Sequence, residues 1–103
     1  MEAIGLPKDN KSKNLGGIVM RKYAERLVNA KHDMTVGNHG VHLFKEARGR
    51  VFTYHGTGIC LVWDDDKECY LTHKGWFTTS TTQALRQYEV YFKALGYECK
   101  YLD

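Results

Sequence analysis

Residues 41–73 read VHLFKEARGRVFTYHGTGICLVWDDDKECYLTH, and the pattern within them indicates the architecture of the domain. It contains four runs in which apolar and polar side chains alternate, at 41–46, 51–55, 59–63 and 68–73. A period of two residues is typical of β-strands with one buried face. The segments between the runs are short and rich in glycine or aspartate, as in turns. Because short turns join antiparallel neighbours, the stretch predicts an antiparallel β-meander of about four strands.

Helical patterns flank this stretch. From Ile18 to Ala30, apolar residues recur every three or four positions with charged residues between them, which predicts an amphipathic helix. A run of hydroxyl residues at 78–82 precedes a second such pattern, and a glycine at position 96 follows it. Hydroxyl side chains cap the start of helices and glycine ends them, so we expect a second helix from about Thr81 to Leu95.

The remaining segments complete the expected order of elements. Residues 31–40 are rich in glycine and asparagine, which favours a connecting loop. Residues 97–102 alternate in the manner of a strand, and they offer a fifth, C-terminal strand to the sheet. The order α-β-β-β-β-α-β predicts an α+β fold in which two helices pack on one face of the meander.

The length of 103 residues suits one compact domain. Residues 1–17 are polar and aperiodic, so we expect a flexible or extended leader before a single α+β domain at 18–103. The sequence contains no run of about 20 apolar residues that could form a membrane span. Its first residues lack the apolar core of a secretory signal, so we expect a cytoplasmic protein that does not contact membranes.

No group of residues has the spacing of a catalytic, metal or cofactor site. His39 and His42 are separated by two residues, but a zinc site needs a second close pair of ligands. His55 and Cys60 are expected on opposite faces of a strand, which would separate a base from its nucleophile. The three cysteines are odd in number and widely spaced, and we expect reduced core thiols. The sequence therefore predicts a protein that is not an enzyme and uses no cofactor and no metal.

Aromatic residues and charge suggest binding instead. The chain has seven Tyr, four Phe and two Trp, and residues 1–50 hold ten Lys and Arg against five Asp and Glu. Rings exposed on the open face of the sheet, among basic residues, would suit stacking on single-stranded nucleic acid. They would equally suit a protein partner, and the same rings could instead fill the core. The candidate binding residues are Arg48, Arg50, Phe52, Tyr54, Trp63, Tyr70 and Trp76.

Two motifs add a resemblance. Residues 54–59 read YHGTGI and residues 75–82 read GWFTTSTT, on either side of a hairpin. Over about residues 50–90, this pattern resembles a family of small uncharacterised bacteriophage proteins. The resemblance implies a phage origin and a role in binding, because phages encode many domains of this size that inhibit host defence nucleases or host transcription. It carries over no catalytic residue.

Two functional hypotheses follow. The first is a non-enzymatic phage accessory protein that binds and modulates a host protein in the host cytoplasm, by inhibition in the simplest case. The alternative is a nucleic-acid-binding module that uses the basic N-terminal half and the sheet aromatics. The sequence leaves the oligomeric state open.

Overall fold

The structure, a computed structural model, describes residues 14–15 and 18–103. The described residues form two α-helices and eight β-strands. In chain order these are β1 (Asn14–Leu15), β2 (Ile18–Val19), α1 (Lys22–Val28), β3 (Met34–Val36), β4 (His39–Leu43), β5 (Gly49–Tyr54), β6 (Thr57–Trp63), β7 (Glu68–Leu71), α2 (Thr79–Ala94) and β8 (Glu98–Tyr101). A short 3-10 turn, Glu46–Arg48, lies between β4 and β5.

Six of the strands form one mixed sheet in the order β3-β4-β5-β6-β7-β8. Strands β4 to β7 are antiparallel neighbours, which confirms the predicted meander. The C-terminal strand β8 is also present, and it pairs with β7 in the parallel direction. The direction follows from α2, which returns the chain along the sheet between these two strands. The sheet has six strands, where we expected about four and a fifth at the C-terminal end. The additional strand is β3, which lies at the opposite edge.

Strand β3 lies inside the segment that was expected to be a loop. Met34 pairs with Val41 and Val36 pairs with His39 across a tight turn. The turn uses Gly37 at φ +63°, in the left-handed region that glycine adopts without strain. The turn-forming residues dominate the sequence pattern here, and they conceal a strand of only three residues.

Helix α1 begins later than predicted. Ile18 and Val19 form β2, which pairs antiparallel with β1, and the helix starts only at Lys22. Both residues are β-branched and favour an extended backbone, so their apolar character was wrongly attributed to the helix. Of the expected leader at 1–17, residues 1–13 and 16–17 lie outside the described residues. Neither of the two described helices is long and apolar enough to cross a membrane.

The two helices pack on one face of the six-stranded sheet, as predicted. One cluster of buried side chains lies between the helices and the sheet. Alternate residues of the central strands point into this core, while α2 contributes an apolar face with Tyr88 and Phe92 at its centre. We call the opposite side of the sheet the open face. By the strand alternation it carries His42, Val51, Leu61, Trp63, Tyr70, Glu98 and Lys100.

A β-bulge interrupts the alternation in the middle of the sheet. Phe52 lies opposite Cys60, but the next residue, Thr53, lies opposite Gly58. Ile59 is therefore an extra residue in β6, and Ile59 and Cys60 are both buried. The bulge places the Ile59 side chain at the end of the sheet where the chain enters α2.

Candidate functional site

The two predicted arginines are engaged with aspartates of the β6–β7 turn. The Arg48 Nε donates to Oδ1 of Asp65 at 2.7 Å, and both side chains are exposed. The Arg50 Nε and Nη2 donate to both carboxylate oxygens of Asp64, at 2.9 and 2.6 Å. Arg50 lies on the helix-covered side of the sheet, with its guanidinium carbon 5.2 Å from the centre of the Phe92 ring. In the folded chain Arg50 therefore has a structural role.

Phe52 is a core residue. Its side chain is completely buried, and its ring stacks on Tyr88 with the centroids 4.5 Å apart. Alternation along β5 points Phe52 at the helices, on the side opposite to the open face. A partner cannot reach this ring in the folded protein, so Phe52 does not belong to a binding surface.

Trp63 and Tyr70 lie on the open face, and both are half-buried. The Trp63 ring covers the backbone at Gly49 and stacks beside Phe44, with ring centroids 6.2 Å apart. The Tyr70 hydroxyl donates to the Glu68 carboxylate at 3.0 Å, and this hydrogen bond is the main reason that the pKa of Tyr70 is raised. These contacts hold both rings against the open face of the sheet.

The most exposed rings lie in the segment between β7 and α2. Trp76 is 63% exposed and the adjacent Phe77 is 68% exposed. The segment turns sharply, with Gly75 at φ +84° and the Trp76 amide donating to the His73 carbonyl at 2.8 Å. The Phe77 ring stacks on the imidazole of His73 with centroids 4.4 Å apart. We call Trp76 and Phe77 the aromatic rim.

His73 ties this segment to the end of the chain. Its backbone N–H donates to Oδ2 of Asp103 at 2.7 Å, and its Nδ1 lies 3.3 Å from Oδ1 of the same carboxylate. Desolvation opposes ionisation of Asp103, but the hydrogen bonds from His73 and Thr72 outweigh it and lower the pKa of this carboxyl. The Asp103 carboxylate thus holds the base of the aromatic rim in place.

His73 also approaches a hydroxyl, since its Nε2 lies 3.3 Å from Oγ1 of Thr82. Hydroxyl, imidazole and carboxylate follow each other here in the order found in hydrolase triads. Thr82 is exposed and is not among the residues that line the neighbouring cavity, whereas His73 is. We interpret the three groups as structural contacts. They hold Asp103 and the segment before α2 against the first turn of the helix.

A cavity of about 410 Å³ lies next to the rim. Its apolar lining comes from Tyr54, Ile59 and Trp76, so the structure brings two of the predicted residues, Tyr54 and Trp76, into one site. Its polar lining consists of two imidazoles and four hydroxyls, from His55, His73, Thr57, Thr78, Ser80 and Thr81. This volume is in the range of pockets that accept a small molecule or a side chain.

The start of α2 supplies the polar end of this cavity. Thr78 caps the helix, because its Oγ1 accepts a hydrogen bond from the Thr81 amide at 3.2 Å. The N–H groups of the first turn of a helix have no partners within the helix. They point out of its N-terminal end and give this end a partial positive charge. No Asp or Glu is among the lining residues, so the cavity combines apolar walls with groups that favour a negative charge.

The histidines that were weighed as metal ligands are dispersed. His39 faces the helices, where its ring stacks between Tyr23 and Tyr54 at 3.7 and 4.7 Å. His42 points to the opposite face and pairs with Asp33. Within residues 14–15 and 18–103, no three His, Cys, Asp or Glu side chains come together as metal ligands.

The cysteines lie as their spacing suggested. Cys60 and Cys69 are buried, with their Sγ atoms 3.7 Å apart, and Cys99 is half-buried. All three are free thiols. His55 is exposed at the β5–β6 turn while the Cys60 thiol contacts Cys69 inside the core, so these two residues do not form a nucleophile and base.

Sequence reasoning missed Phe77, His73 and the lining of the cavity. A local signal for the rim was present, because Trp76 and Phe77 directly precede the run of hydroxyl residues that predicts the start of the helix. The cavity itself had no local signal, since its residues come from β5, the β5–β6 turn, β6, the segment after β7 and the start of α2.

Comparison with known proteins adds no relative. The chain matches no protein-family model, and no curated protein or solved structure matches it. The fold and the site therefore define the class by themselves: a small α+β domain with an exposed aromatic rim beside a cavity.

Proposed function

We propose that this chain is a non-enzymatic protein-binding domain that modulates a host protein through the aromatic rim and the adjacent cavity. The exposure of Trp76 and Phe77 beside the cavity is the observation that carries this proposal. Large rings that are rigidly held and solvent-exposed are typical anchors of protein interfaces. His73 and Asp103 hold the rim in place before a partner arrives, which reduces the entropy cost of binding.

The chemistry of the cavity favours one kind of partner segment. Ile59, Tyr54 and Trp76 offer an apolar surface for one inserted side chain. The imidazoles, the start of α2 and the exposed Lys74 favour an acidic residue next to it. We therefore expect a partner segment in which an apolar or aromatic side chain is flanked by Asp or Glu.

The position of the arginines supports a protein partner over nucleic acid. Affinity for nucleic acid depends on cations that can neutralise phosphates. Arg48 and Arg50 are each already paired with an aspartate, and Arg50 lies on the covered face. The nucleic-acid hypothesis also used other basic residues of the N-terminal half: Lys8, Lys11 and Lys13 lie outside the described residues, while Arg21, Lys22 and Arg26 are exposed. Binding of the chain to oligonucleotides is therefore measured as well, as the alternative outcome of the test below.

The host context rests on the sequence resemblance alone. The likeness to small bacteriophage proteins implies a target in the cytoplasm of an infected cell, such as a defence nuclease or a transcription component. Inhibition would follow if the rim covers a surface that the target needs for its own substrate.

The test begins with capture of partners from host lysate on the immobilised chain, followed by purification of each captured protein and measurement of its affinity. Trp76→Ala is expected to weaken the affinity by about 30-fold or more, as for a hot-spot residue with a cost above about 2 kcal/mol. Tyr70→Ala is the matched control, because it removes a half-buried ring from the open face.

Three results would reject the proposal. If Tyr70→Ala abolishes binding and Trp76→Ala leaves it intact, the open face is the binding surface. If no purified candidate binds directly, the chain is not a protein-binding domain. Tight, salt-sensitive binding to oligonucleotides, unchanged by Trp76→Ala, would establish the nucleic-acid alternative.

A further inference from the structure

Strand β8 forms one edge of the six-stranded sheet. The amides of Glu98 and Leu102 donate toward β7, to the Lys67 and Leu71 carbonyls at 2.9 and 2.7 Å. Successive residues of a strand direct their N–H and C=O groups to opposite sides, so those of Cys99 and Tyr101 point out of the sheet. No described strand pairs with this outer side. An edge of this kind is a template for pairing with another strand.

The charges on β8 have a particular order. Glu98 and Lys100 both lie on the open face, two residues apart, and their side chains are 71% and 62% exposed. Within one chain their charged groups form a long, exposed ion pair at 3.8 Å, a kind of contact that contributes little and can be exchanged for a partner across the strand edge. Between them lies Cys99, whose side chain points to the helix side. The strand is therefore acidic on one side of Cys99 and basic on the other.

We propose that β8 pairs in the antiparallel direction with β8 of a second copy of this chain, about a two-fold axis through Cys99. In this register Glu98 lies opposite Lys100 of the second copy, and the symmetry repeats the same pair. Cys99 then lies opposite Cys99 of the second copy, and these residues exchange backbone hydrogen bonds through their outward groups. The charged pairs fall at the non-hydrogen-bonded positions, where the Cα atoms are only about 4.5 Å apart and side chains are closest.

The charges also exclude the neighbouring registers. A two-fold axis through Lys100 would bring the two copies of Lys100 face to face, and an axis through Glu98 would do the same for Glu98. Like charges directly opposite each other destabilise a strand pair. The axis through Cys99 is thus the one that converts both charges into attraction.

Apolar side chains at the edge support the same arrangement. Tyr101 is 42% exposed and Leu102 is 65% exposed, which is unusual for large apolar residues. In the proposed register Tyr101 lies opposite Tyr97 of the second copy, on the helix side. Cross-strand aromatic pairs of this kind add to the stability of a sheet. The two sheets would join into one continuous sheet, independently of whether the aromatic rim binds a host protein.

The test is the oligomeric state of the full chain by sedimentation equilibrium, with charge variants of β8. The wild-type chain is expected to form dimers within a concentration range that extends to about 200 μM. Glu98→Lys and Lys100→Glu are each expected to weaken dimerisation about tenfold or more, because each sets like charges opposite each other twice. Circular dichroism and melting temperature check that both variants still fold.

Mixing the two variants gives the decisive measurement. The E98K chain carries lysine at both positions and the K100E chain carries glutamate at both, so together they restore two attractive pairs. We expect a heterodimer of about wild-type stability from two chains that each pair weakly alone, and the double variant E98K/K100E should also dimerise as the wild type does.

Several outcomes would overturn the proposal. A monomeric wild type across the whole concentration range rules out the dimer. Dimerisation of E98K or K100E at wild-type strength would mean that the contact lies elsewhere on the molecule. Variants that remain monomeric after mixing, although folded, would show that β8 does not pair in this register.

Discussion

Arg50 and Asp64 form a two-pronged ion pair between the middle of the sheet and the β6–β7 turn, with only 15% and 16% of their side chains exposed. The Tyr97 hydroxyl donates to the same carboxylate at 2.6 Å, and Arg50 Nη1 donates to the Val28 carbonyl at 3.0 Å. Through these bonds one arginine joins β5, the turn after β6, the end of α1 and the segment after α2. A residue that the sequence offered for binding is thus a central element of the fold.

Removing one partner of this pair should be costly. In Asp64→Ala, Arg50 remains largely buried without its counter-ion, and we expect the free energy of unfolding to fall by about 3 kcal/mol. Asp65→Ala is the matched control, because it removes the exposed partner of Arg48 and should cost less than about 1 kcal/mol. Urea denaturation of the three chains measures both values, and equal losses for the two variants would contradict the structural role of Arg50.

A close approach at Gly49 provides a second prediction. A Cβ atom at this position would lie 2.5 Å from Cζ3 of Trp63 and 2.9 Å from Cδ2 of Phe44. The backbone at Gly49 has φ −81°, so an added side chain is excluded by packing and not by backbone strain. We expect Gly49→Ala to destabilise the protein by about 1–3 kcal/mol.

A double-mutant cycle identifies the cause. Trp63→Leu removes the ring that meets the new Cβ, so Gly49→Ala should cost clearly less in that background. The unfolding free energies of the four chains give the coupling. Additive effects would mean that the Trp63 ring does not restrict position 49.

The meander was predictable because its information is local. Each of its strands alternates with a period of two, and each turn carries its own glycines or aspartates, so neighbours in sequence are neighbours in the sheet. Strand β3 was not predicted because it has only three residues and the glycine and asparagine of the adjacent turn indicate a loop. Ile18 was assigned to a helix because an apolar β-branched residue is compatible with a helical or a strand pattern. The parallel direction of β8 depends on the crossover through α2.

The candidate site was less accessible from sequence for a different reason. Exposure of a ring depends on what packs over it, and the partners of Arg50 and Phe52 come from distant segments such as the β6–β7 turn and α2. Trp76 is exposed and lies directly before α2, which turns its apolar side inward. Composition alone could not separate Trp76 from Phe52.

The helix cap beside the cavity gives a third prediction. Thr78 Oγ1 accepts from the Thr81 amide at 3.2 Å and donates to Oγ1 of Thr81 at 3.0 Å. Thr78→Ala leaves the Thr81 amide without this acceptor, so we expect a loss of about 1 kcal/mol in the free energy of unfolding. Thr78→Ser keeps the hydroxyl and should lose much less, while Thr79→Ala provides a control inside the first turn. A loss at Thr79 as large as that at Thr78 would place the cap elsewhere.

A final prediction concerns the acid sensitivity of the fold. His39 is stacked between Tyr23 and Tyr54, and its Nδ1 is buried without a hydrogen-bond partner. Burial disfavours the charged imidazolium, and the charge of His55 adds to this effect, so the pKa of His39 is lowered from its ordinary value of 6.5. The unfolded chain therefore takes up a proton on this residue at a pH where the folded chain does not.

A group that binds its proton more readily in the unfolded state makes stability rise with pH, so the contribution of His39 is present above about pH 6.5 and is lost as the pH falls below that value. We expect the free energy of unfolding to decrease between about pH 6.5 and 5, before carboxyl groups such as Asp33, whose pKa is lowered, begin to titrate. His39→Phe keeps a ring in the stack but cannot be protonated, so its stability should change less over this interval. His32→Gln, which removes an exposed histidine, is the control. An unaltered slope in His39→Phe would mean that another group controls the response to acid.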